Sequence, residues 1–356
     1  MLGISDGKQD ILDLTLREAE EFFEGLGEPR YRARQVFRWA YARRQADFAA
    51  MSDLPAWLRE RLTETAFVGT LRAVAQKSSR DGRTTKFLFG LADGEAVESV
   101  LMRHDYGYTA CVSSQVGCRM ACGFCASTRG GLVRNLRTGE MVGQVTGINA
   151  LLPAEHRVSR AVLMGSGEPL DNYESCVKFI RVVNEPLGLN IGMRHITLST
   201  CGIVPGILRL AREGLQITLS VSLHSPTDAV RRSLMPVAGK YPVREVVRAC
   251  REYGDATGRR VTFEYALIEG VNDSDSDARE VARLLNGGLF HVNIIPLNPV
   301  RGTPYRRSPP RRVKEFYVLL ENMGIAVTVR REFGIGVDAA CGQLRRRSAR
   351  GGADGM

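Results

Sequence analysis

Three cysteines stand at a spacing that suits an inorganic centre. Cys118, Cys122 and Cys125 follow the pattern Cys-x-x-x-Cys-x-x-Cys in a loop that also contains glycines. Thiolates at this spacing can converge, and glycine lets the backbone wrap closely around what they bind. Structural zinc is the simpler alternative, but it normally takes four ligands, and no fourth Cys or His stands at an ordinary spacing. Three thiolates on a [4Fe-4S] cluster leave one iron open, so the pattern predicts a cluster that performs chemistry.

A second group of polar residues lies where apolar runs of the sequence end. The segment 165–169, Gly-Ser-Gly-Glu-Pro, lets a ligand approach the backbone, and its Glu168 can accept hydrogen bonds from an ammonium group. As a dinucleotide-binding fingerprint the segment is weak, because the third glycine is absent. Four further polar residues end later runs: Ser199, Ser222, His224 and Asn298. Parallel strands bind ligands at their carboxyl ends, so we expect one shared mouth.

The scaffold that must position these residues is predicted as an α/β fold. From about Tyr108 onward, strand-like apolar runs alternate with helical patterns. After the first strand, these runs cover residues 161–164, 195–199, 217–223, 261–267, 292–297 and 325–329. Repeated βα units imply a parallel sheet, and about six of them fit a partial (βα)6-type barrel better than a small open sheet.

The overall charge favours a polyanionic partner. The chain has 356 residues and carries 49 Lys and Arg against 39 Asp and Glu, a formal net charge of +10. Such a balance is typical of proteins that bind nucleic acid, although an Arg-rich proteome would give it too. No apolar stretch approaches the roughly 20 residues that span a bilayer, and no signal peptide is evident, so we predict a cytoplasmic protein with no membrane contact.

The N-terminal part is predicted to be helical. Thr15 and Glu18 have the spacing of a capping box at the start of a first helix. A second helix, from Pro29 onward, has a basic and an aromatic face. We interpret its arginines as nucleic-acid contacts and its aromatic residues as core. The arginines are Arg30, Arg32, Arg34, Arg38, Arg43 and Arg44.

Four regions follow from these patterns. Residues 1–66 form a helical RNA-binding accessory domain. Residues 67–107 form an antiparallel linker sheet with turns at Asp81-Gly82 and Asp93-Gly94. Residues 108–344 form the barrel and a C-terminal cysteine loop, and residues 345–356 form a basic, disordered tail.

The cysteine loop resembles the signature of the radical S-adenosylmethionine (SAM) superfamily, with Phe124 before the last cysteine. In that superfamily the open iron binds the amino and carboxylate groups of SAM. Electron transfer into the sulfonium then releases a 5′-deoxyadenosyl radical. The resemblance therefore implies SAM and the [4Fe-4S] cluster as cofactors, and an electron donor such as flavodoxin or ferredoxin.

Several motifs together resemble the RlmN/Cfr family of RNA methyltransferases, over about residues 13–344. They are Cys111-Val-Ser-Ser-Gln-Val-Gly-Cys118, Gly167-Glu168-Pro169-Leu170, Ser222-Leu223-His224, the segment 291–298 that ends in Asn298, and Ala340-Cys341-Gly342-Gln343-Leu344. The resemblance implies methylation of carbon 2 of adenine, at adenine 2503 of 23S rRNA and adenine 37 of tRNA, by a monomeric enzyme. Carbon 2 is not nucleophilic, so a radical route meets the chemical need.

The resemblance also implies roles for individual residues. One SAM molecule methylates Cys341 and a second supplies the radical, so two are used per turnover. The resulting carbon adds to the adenine, giving a covalent enzyme–RNA intermediate. Glu98 matches the family's proton acceptor, and Cys111 matches the thiol that forms a disulfide with Cys341 as product leaves. The SAM contacts match Gly167, Glu168, Ser199, Ser222, Leu223, His224 and Asn298.

Two departures from the family pattern stand out. Ser166 replaces a larger apolar residue and is expected to alter cofactor packing, and Gly336 replaces a common aspartate and is expected to loosen the Cys341 loop. Three further cysteines match no functional position and are predicted to be buried: Cys176, Cys201 and Cys250. The rival hypotheses are a Cfr-like carbon 8 methyltransferase and a non-catalytic RNA-binding protein with a metal cluster or zinc.

Overall fold

The computed structural model describes residues 7–298, 300, 302–330 and 342–344, together with the backbone of 347–348. Ten α-helices lie in this part of the chain: α1 Leu16–Gly25, α2 Tyr31–Phe37, α3 Ala56–Thr65, α4 Thr138–Leu151, α5 Tyr173–Asn184, α6 Val204–Leu210, α7 Asp228–Leu234, α8 Val243–Thr257, α9 Asp275–Leu285 and α10 Pro310–Asn322. None of the described helices is long and apolar enough to cross a membrane.

Fifteen strands are present in the same part of the chain: β1 Gln9–Asp10, β2 Ala66–Phe67, β3 Ala73–Ser78, β4 Thr84–Gly90, β5 Glu95–His104, β6 Gly107–Cys111, β7 Gln115–Gly117, β8 Leu132–Asn135, β9 Val158–Leu163, β10 Ile196–Thr200, β11 Thr218–Ser222, β12 Val261–Leu267, β13 Phe290–Pro296, β14 Val327–Val329 and β15 Arg347–Ser348.

One large mixed sheet organises the molecule. Its strand order is β14-β13-β12-β11-β10-β9-β6-β5-β4-β3. Strand β6 and strands β9 through β14 pair in parallel, in order along the chain and with helices between most of them. This alternation places every parallel strand's carboxyl end at one edge of the sheet. The α/β fold with a partial barrel is confirmed, and all six predicted runs overlap strands β9 to β14.

The antiparallel strands differ from expectation in one respect. The turns at Asp81-Gly82 and Asp93-Gly94 are present, and Gly82 and Gly94 adopt φ values of 65° and 85°. The hairpin strands β3, β4 and β5 do not form a separate sheet, however. A tight turn returns the chain from β5 to β6, where Val100 pairs with Cys111, so β3–β5 extend the barrel sheet.

The capping box predicted for the first helix is present in the N-terminal part of the chain. The Thr15 hydroxyl accepts a hydrogen bond from the Glu18 amide, and the Glu18 carboxylate accepts one from the Thr15 amide 2.8 Å away. This reciprocal capping box starts α1. Phe23 and Phe37 are fully buried, so the aromatic residues of α1 and α2 supply core, as predicted.

The N-terminal domain packs along the whole length of α4. The acid Asp13 accepts a hydrogen bond from the Gly139 amide, 2.5 Å away, at the start of this helix. Along its middle, a Cβ added to Gly147 would lie 2.4 Å from the Leu71 carbonyl oxygen, so only glycine permits this approach. At the other end, Arg44 donates to the carbonyls of Asn149 and Leu152, 2.6 and 3.0 Å away.

Only a few residues of the C-terminal region belong to the described part of the chain. Cys341 and Gly336 lie outside the described residues, as does most of the predicted tail. Arg347 and Ser348 pair with Ala96 and Glu95 as strand β15, so at these two residues the chain is ordered by backbone pairing where the sequence predicted disorder.

Candidate active site

A cavity opens at the carboxyl ends of the parallel strands. It has a volume of about 170 Å³. The cavity is lined by all three residues of the predicted cysteine cluster, Cys118, Cys122 and Cys125. Six of the seven predicted SAM contacts line it too: Gly167, Glu168, Ser199, Ser222, His224 and Asn298. Residues separated by up to 180 positions in the sequence therefore face one space, as the predicted mouth requires.

The cysteine loop is held by a two-stranded ribbon that the sequence did not reveal. Strands β7 and β8 pair antiparallel and so join the two ends of the loop. At the start of the loop, the Cys118 amide donates to the Gly131 carbonyl at 3.0 Å. A Cβ on Gly117, whose φ is 79°, would lie 2.0 Å from that carbonyl oxygen, so glycine is required here.

The electrostatics of the loop suit a positively charged centre. Burial raises the pKa of the Cys118 thiol to about 12, and the nearby Glu168 and Cys125 raise it further. Burial likewise raises the pKa of Cys122, followed by repulsion from Cys125 and Cys118. Three thiols that disfavour each other's ionisation become stable thiolates when a metal centre supplies compensating positive charge.

A multi-iron cluster fits this donor set better than a single ion. The three cysteines line one cavity. A [4Fe-4S] cluster distributes its cysteine ligands over different iron atoms and can be held by three of them, whereas a structural zinc site normally takes four ligands.

Glu168 is buried beside the cluster loop and is held by backbone amides. Its Oε1 accepts a hydrogen bond from the Leu170 amide at 3.0 Å, and its Oε2 accepts one from the Cys201 amide at 2.7 Å. Burial raises the pKa of this carboxyl, and these hydrogen bonds oppose the rise. The preceding Gly167 has a φ of 110°, and a Cβ there would lie 2.8 Å from the Gln115 amide nitrogen. The side chains of Thr200 and Cys201 donate to this carboxylate as well. It is thus fixed at the cavity wall, where its negative charge faces a cationic group of a ligand.

The segment Ser222-Leu223-His224 turns the chain at the end of β11. His224 has a φ of 55°, which is unusual for a residue with a side chain. Its Nδ1 accepts a hydrogen bond from the Ala266 amide at 2.9 Å, and burial lowers the pKa of its imidazole to about 3. The ring is therefore neutral and carries its proton on Nε2. Leu223 is fully buried and does not line the cavity, so its side chain is core.

Cys111 lies at the end of β6, next to the returning C-terminal segment. It is buried in a small cluster with Val100 and Leu344. The Ser127 hydroxyl donates to the Leu344 carbonyl at 2.6 Å, and the Ala126 amide donates to the Gly342 carbonyl at 2.7 Å. Gly342 also lines the cavity. The residues that follow Cys341 therefore lie against both the cluster loop and the neighbourhood of Cys111.

Glu98 is fully buried in β5 and forms an ion pair with Lys86. The distance between Lys86 Nζ and Glu98 Oε1 is 3.2 Å, and both side chains are almost inaccessible to solvent. An isolated strand glutamate would ordinarily be solvated, so the burial and the lysine partner are what the sequence did not reveal. The register places Glu98 on the same face as Val100 and its partner Cys111.

Several residues of the site were not predicted from the sequence. Glu264 lines the cavity from β12, where its carboxylate accepts hydrogen bonds from Ser220 at 2.6 Å and Asn293 at 2.9 Å. Cys201 is buried as predicted, but it also lines the cavity. Ser166 is buried and does not line the cavity, so no direct contact with a ligand in the cavity supports the expected effect of this residue on cofactor packing.

The arginines of the second helix are less available than predicted. Three are held by acidic side chains, with Arg30 paired to Glu24, Arg32 to Glu28 and Arg34 to Glu20. Arg44 is committed to main-chain carbonyls after α4. Arg43 stacks on the Trp39 ring, and Arg38 is exposed with no ion pair in the described part of the chain.

The parallel sheet, the three-cysteine loop and the polar mouth define a radical SAM protein, and residues 112–285 match the radical SAM superfamily. Residues 9–68 match the N-terminal domain of ribosomal RNA large subunit methyltransferases, which covers the helical domain. The chain belongs to the RlmN family of RNA methyltransferases. Its [4Fe-4S] cluster and SAM are the cofactors of that family, and RNA is its class of substrate.

The relatives resemble this chain over nearly its full length. A protein of Symbiobacterium thermophilum, described as a probable dual-specificity RNA methyltransferase RlmN, is 56% identical over 97% of this chain and 93% of its own length. A Pelotomaculum thermopropionicum protein with the same description is 52% identical over 96% and 92%. The crystal structure of a radical SAM methyltransferase from Sphaerobacter thermophilus is 48% identical, with a TM-score of 0.90 over 94% of this chain and 99% of that one.

Proposed function

We propose that this protein methylates carbon 2 of adenine in both 23S rRNA and tRNA, with Cys341 as the carrier of the methyl carbon. The observation that carries the proposal is the meeting of three features at one mouth. These are the cysteine loop, the polar strand ends and the segment Gly342–Leu344 next to Cys111. The dual specificity of the named relatives supports both RNA substrates.

The cavity residues divide into two sets by chemistry. Cys118, Cys122 and Cys125 would hold the cluster, and Glu168, Ser199, Ser222, His224 and Asn298 would hold SAM. When bound, these groups supply a methyl group and a 5′-deoxyadenosyl radical. Glu168 offers carboxylate oxygens and His224 an Nε2 proton, so the wall can pair with both cationic and hydroxyl-bearing parts of a ligand.

Two thiols and one carboxylate complete the transfer. Cys341 presents the methyl carbon to the adenine. After one hydrogen atom of this carbon has passed to the 5′-deoxyadenosyl radical, the carbon would bond to carbon 2. Once one electron has left the adduct, Glu98 accepts the proton that leaves carbon 2. The Cys111 sulfur then attacks the Cys341 sulfur. The bond from that sulfur to the transferred carbon breaks, its electron pair goes to the carbon, and the carbon takes up a proton, while the two thiols become a disulfide. Each turnover therefore ends with a need for two external reducing equivalents.

The contact with RNA is proposed to include Arg38 and Arg43, two exposed arginines at the end of the second helix that have no carboxylate partner among the described residues. Replacing both by Ala should lower RNA affinity and flatten its salt dependence by about 0.7 to 0.9 counterions per lost contact. The matched control is Arg30→Ala plus Arg34→Ala, because those residues face Glu24 and Glu20. An equal loss in the control pair would contradict the assignment.

The product decides the chemistry of transfer. Anaerobically reconstituted protein is incubated with SAM, reductant and unmodified transcripts of a 23S rRNA fragment or tRNA, and the digested RNA is examined by mass spectrometry. We expect 2-methyladenosine from both RNAs. The appearance of 8-methyladenosine would instead assign the protein to the Cfr-like alternative, and the absence of any methylated adenosine would leave a non-catalytic RNA-binding protein.

The roles of the thiols are separable by substitution. Cys111→Ala should accumulate a nuclease-sensitive adduct between protein and RNA, because the adduct forms but no thiol releases it. Adding Cys341→Ala should abolish the adduct. Cys250→Ala is the matched control, because Cys250 is a buried thiol of α8 that does not line the cavity. Methylation by a Cys341→Ala variant would refute the mechanism.

The cluster assignment has its own test. Replacing any one of Cys118, Cys122 or Cys125 by Ala should abolish reductive cleavage of SAM and lower the iron content, whereas Cys176→Ala, at a core position of α5, should change neither. Stoichiometric zinc without iron in the wild type would contradict it. A flavodoxin or ferredoxin donor, a monomeric state and a cytoplasmic location remain predictions.

A further inference from the structure

Arg231 is a fully buried cation in α7 whose donors go to main-chain carbonyls. Its Nε donates to the Leu223 carbonyl at 3.2 Å, and its Nη1 donates to the Tyr241 carbonyl at 3.1 Å. Its Nη2 donates to the carbonyls of Cys201 at 2.7 Å and Ser222 at 3.3 Å. Within the described part of the chain it forms no ion pair. Burying a guanidinium without an ion-pair partner carries a large desolvation cost, so its position needs an explanation.

Two of the four carbonyls that Arg231 holds, those of Cys201 and Ser222, belong to residues that line the cavity. Cys201 follows the end of β10, and its amide is the donor to Glu168 Oε2. Ser222 ends β11, and Leu223 connects it to His224. One side chain therefore ties together the ends of two neighbouring strands, and through Cys201 it also fixes the carboxylate that projects from a third.

The same helix contacts the cysteine loop. The Leu234 carbonyl, at the end of α7, accepts a hydrogen bond from the Gly123 amide at 2.9 Å, between two of the cluster cysteines. On the other side, Asn272 is fully buried and donates to the His224 carbonyl at 2.6 Å. All three carbonyls of the segment 222–224 are thus satisfied by buried side chains, and this holds His224 in its left-handed conformation.

We propose that Arg231 is a positioning residue for SAM: it arranges the backbone of Cys201, Ser222 and Leu223 so that the cavity wall fits the cofactor before it binds. This inference rests on the assignment of the wall residues to SAM in the proposed function. Arg231 does not line the cavity, so it acts only through the residues that it holds. Its loss should therefore weaken SAM binding more than it changes the cluster itself.

The test compares two substitutions of Arg231 with a matched one elsewhere. In Arg231→Met, four carbonyls lose their donor, and SAM should bind at least tenfold more weakly in anaerobic equilibrium dialysis. In Arg231→Lys, three ammonium protons can serve some of those carbonyls, so the affinity should be intermediate. The control is Arg44→Met, the same change at an arginine that also donates to several main-chain carbonyls but lies away from the cavity. It should bind SAM like the wild type.

Spectroscopy separates positioning from simple loss of structure. Without SAM, the electron paramagnetic resonance spectrum of the reduced cluster should be the same in all variants as in the wild type. Adding SAM changes this spectrum, and in Arg231→Met the spectral change should require at least tenfold more SAM than in the wild type. Equal SAM affinity in Arg231→Met and wild type would overturn the inference, and so would an equal loss in Arg44→Met. If Arg231→Met does not fold, the comparison of Arg231→Lys with Arg44→Met decides by the same criteria. A wild type that binds no SAM would instead refute the proposed function.

Discussion

Replacing Arg44 by Met should loosen the N-terminal domain from the barrel. Arg44 adopts a φ of 54°, and this unusual backbone conformation directs its guanidinium to the carbonyls that follow α4. Besides Asn149 and Leu152 it reaches the carbonyls of Pro153 and Ala154, both at 3.4 Å, and that of His156. The carboxyl end of a helix is also where a cation is favoured by the helix dipole.

The size of the effect follows from the environment of these bonds. Hydrogen bonds from a charged group contribute roughly 1.5 to 3 kcal/mol each where the partner is otherwise unpaired. Only the bonds to Asn149 and Leu152 are both short and partly buried. The others lie at the surface, where water replaces the guanidinium. We therefore expect Arg44→Met to lower the free energy of unfolding by about 3 kcal/mol.

Urea unfolding under anaerobic conditions measures this loss. Both tryptophans of the chain, Trp39 and Trp57, lie in the N-terminal domain, so their fluorescence reports on it directly. The matched control is Arg43→Met, the same change one residue earlier at an exposed arginine that stacks on Trp39. We expect a lower midpoint for Arg44→Met only, with faster amide exchange over residues 149–156. Equal midpoints for the two variants would refute the role given to Arg44.

Three further changes have predicted directions. Gly147→Ala should destabilise the protein by about 1 to 3 kcal/mol in thermal unfolding, despite the better helix propensity of Ala, because the new Cβ meets the Leu71 carbonyl. The control is Gly25→Ala, which has open space around it and should be neutral or stabilising in the same assay. Burial, followed by repulsion from the neighbouring Asp13, raises the pKa of Asp10 to about 6. The native state therefore holds this proton more tightly than the unfolded chain does, and the free energy of unfolding falls as the pH rises from about 4 to about 6. Asp10→Asn should remove this fall and raise the free energy of unfolding at pH 8 by up to about 3 kcal/mol, as measured by urea unfolding. Because burial lowers the pKa of His224 to about 3, NMR should find a neutral Nε2–H ring with no titration between about pH 5.5 and 8, and a midpoint near 6.5 would contradict the assigned hydrogen bond.

The fold could be predicted where the local pattern and the tertiary structure agree. The six runs after Tyr108 carry enough apolar residues to identify them as buried strands, and Thr15 with Glu18 gives the start of α1 from side-chain chemistry alone. The joining of β5 to β6 was not predictable in this way. The turn residues of a hairpin indicate that its two strands pair with each other, but they do not indicate which edge of the hairpin pairs with the next strand of the chain.

The site could be predicted where its chemistry depends on the type of residue. It could not be predicted where the chemistry depends on which side chains pair with each other in the folded protein. Cysteine spacing and strand ends identified nine of the residues that line the cavity, because both are properties of the sequence itself. The partners of charged groups are set by tertiary contacts. Lys86 beside Glu98 and Glu20 beside Arg34 come from other elements, and no local pattern predicts them. The role of the arginines of α2 as RNA contacts stays a prediction.

The polar interior of the barrel shows that some of the missed signal was present in the strand periodicity. Side chains along a strand alternate between its two faces, and in β12 Val261, Phe263 and Tyr265 are buried on one face. Glu264 lies on the other face, where its register partner is Asn293 and its hydrogen bonds reach Ser220. A lone glutamate in a run of apolar residues cannot face packed helices without a large desolvation cost, so it must face an interior that offers polar partners. That reasoning would have placed Glu264 in the mouth from sequence alone, because its strand was already predicted and only one of its two faces could accept a charge.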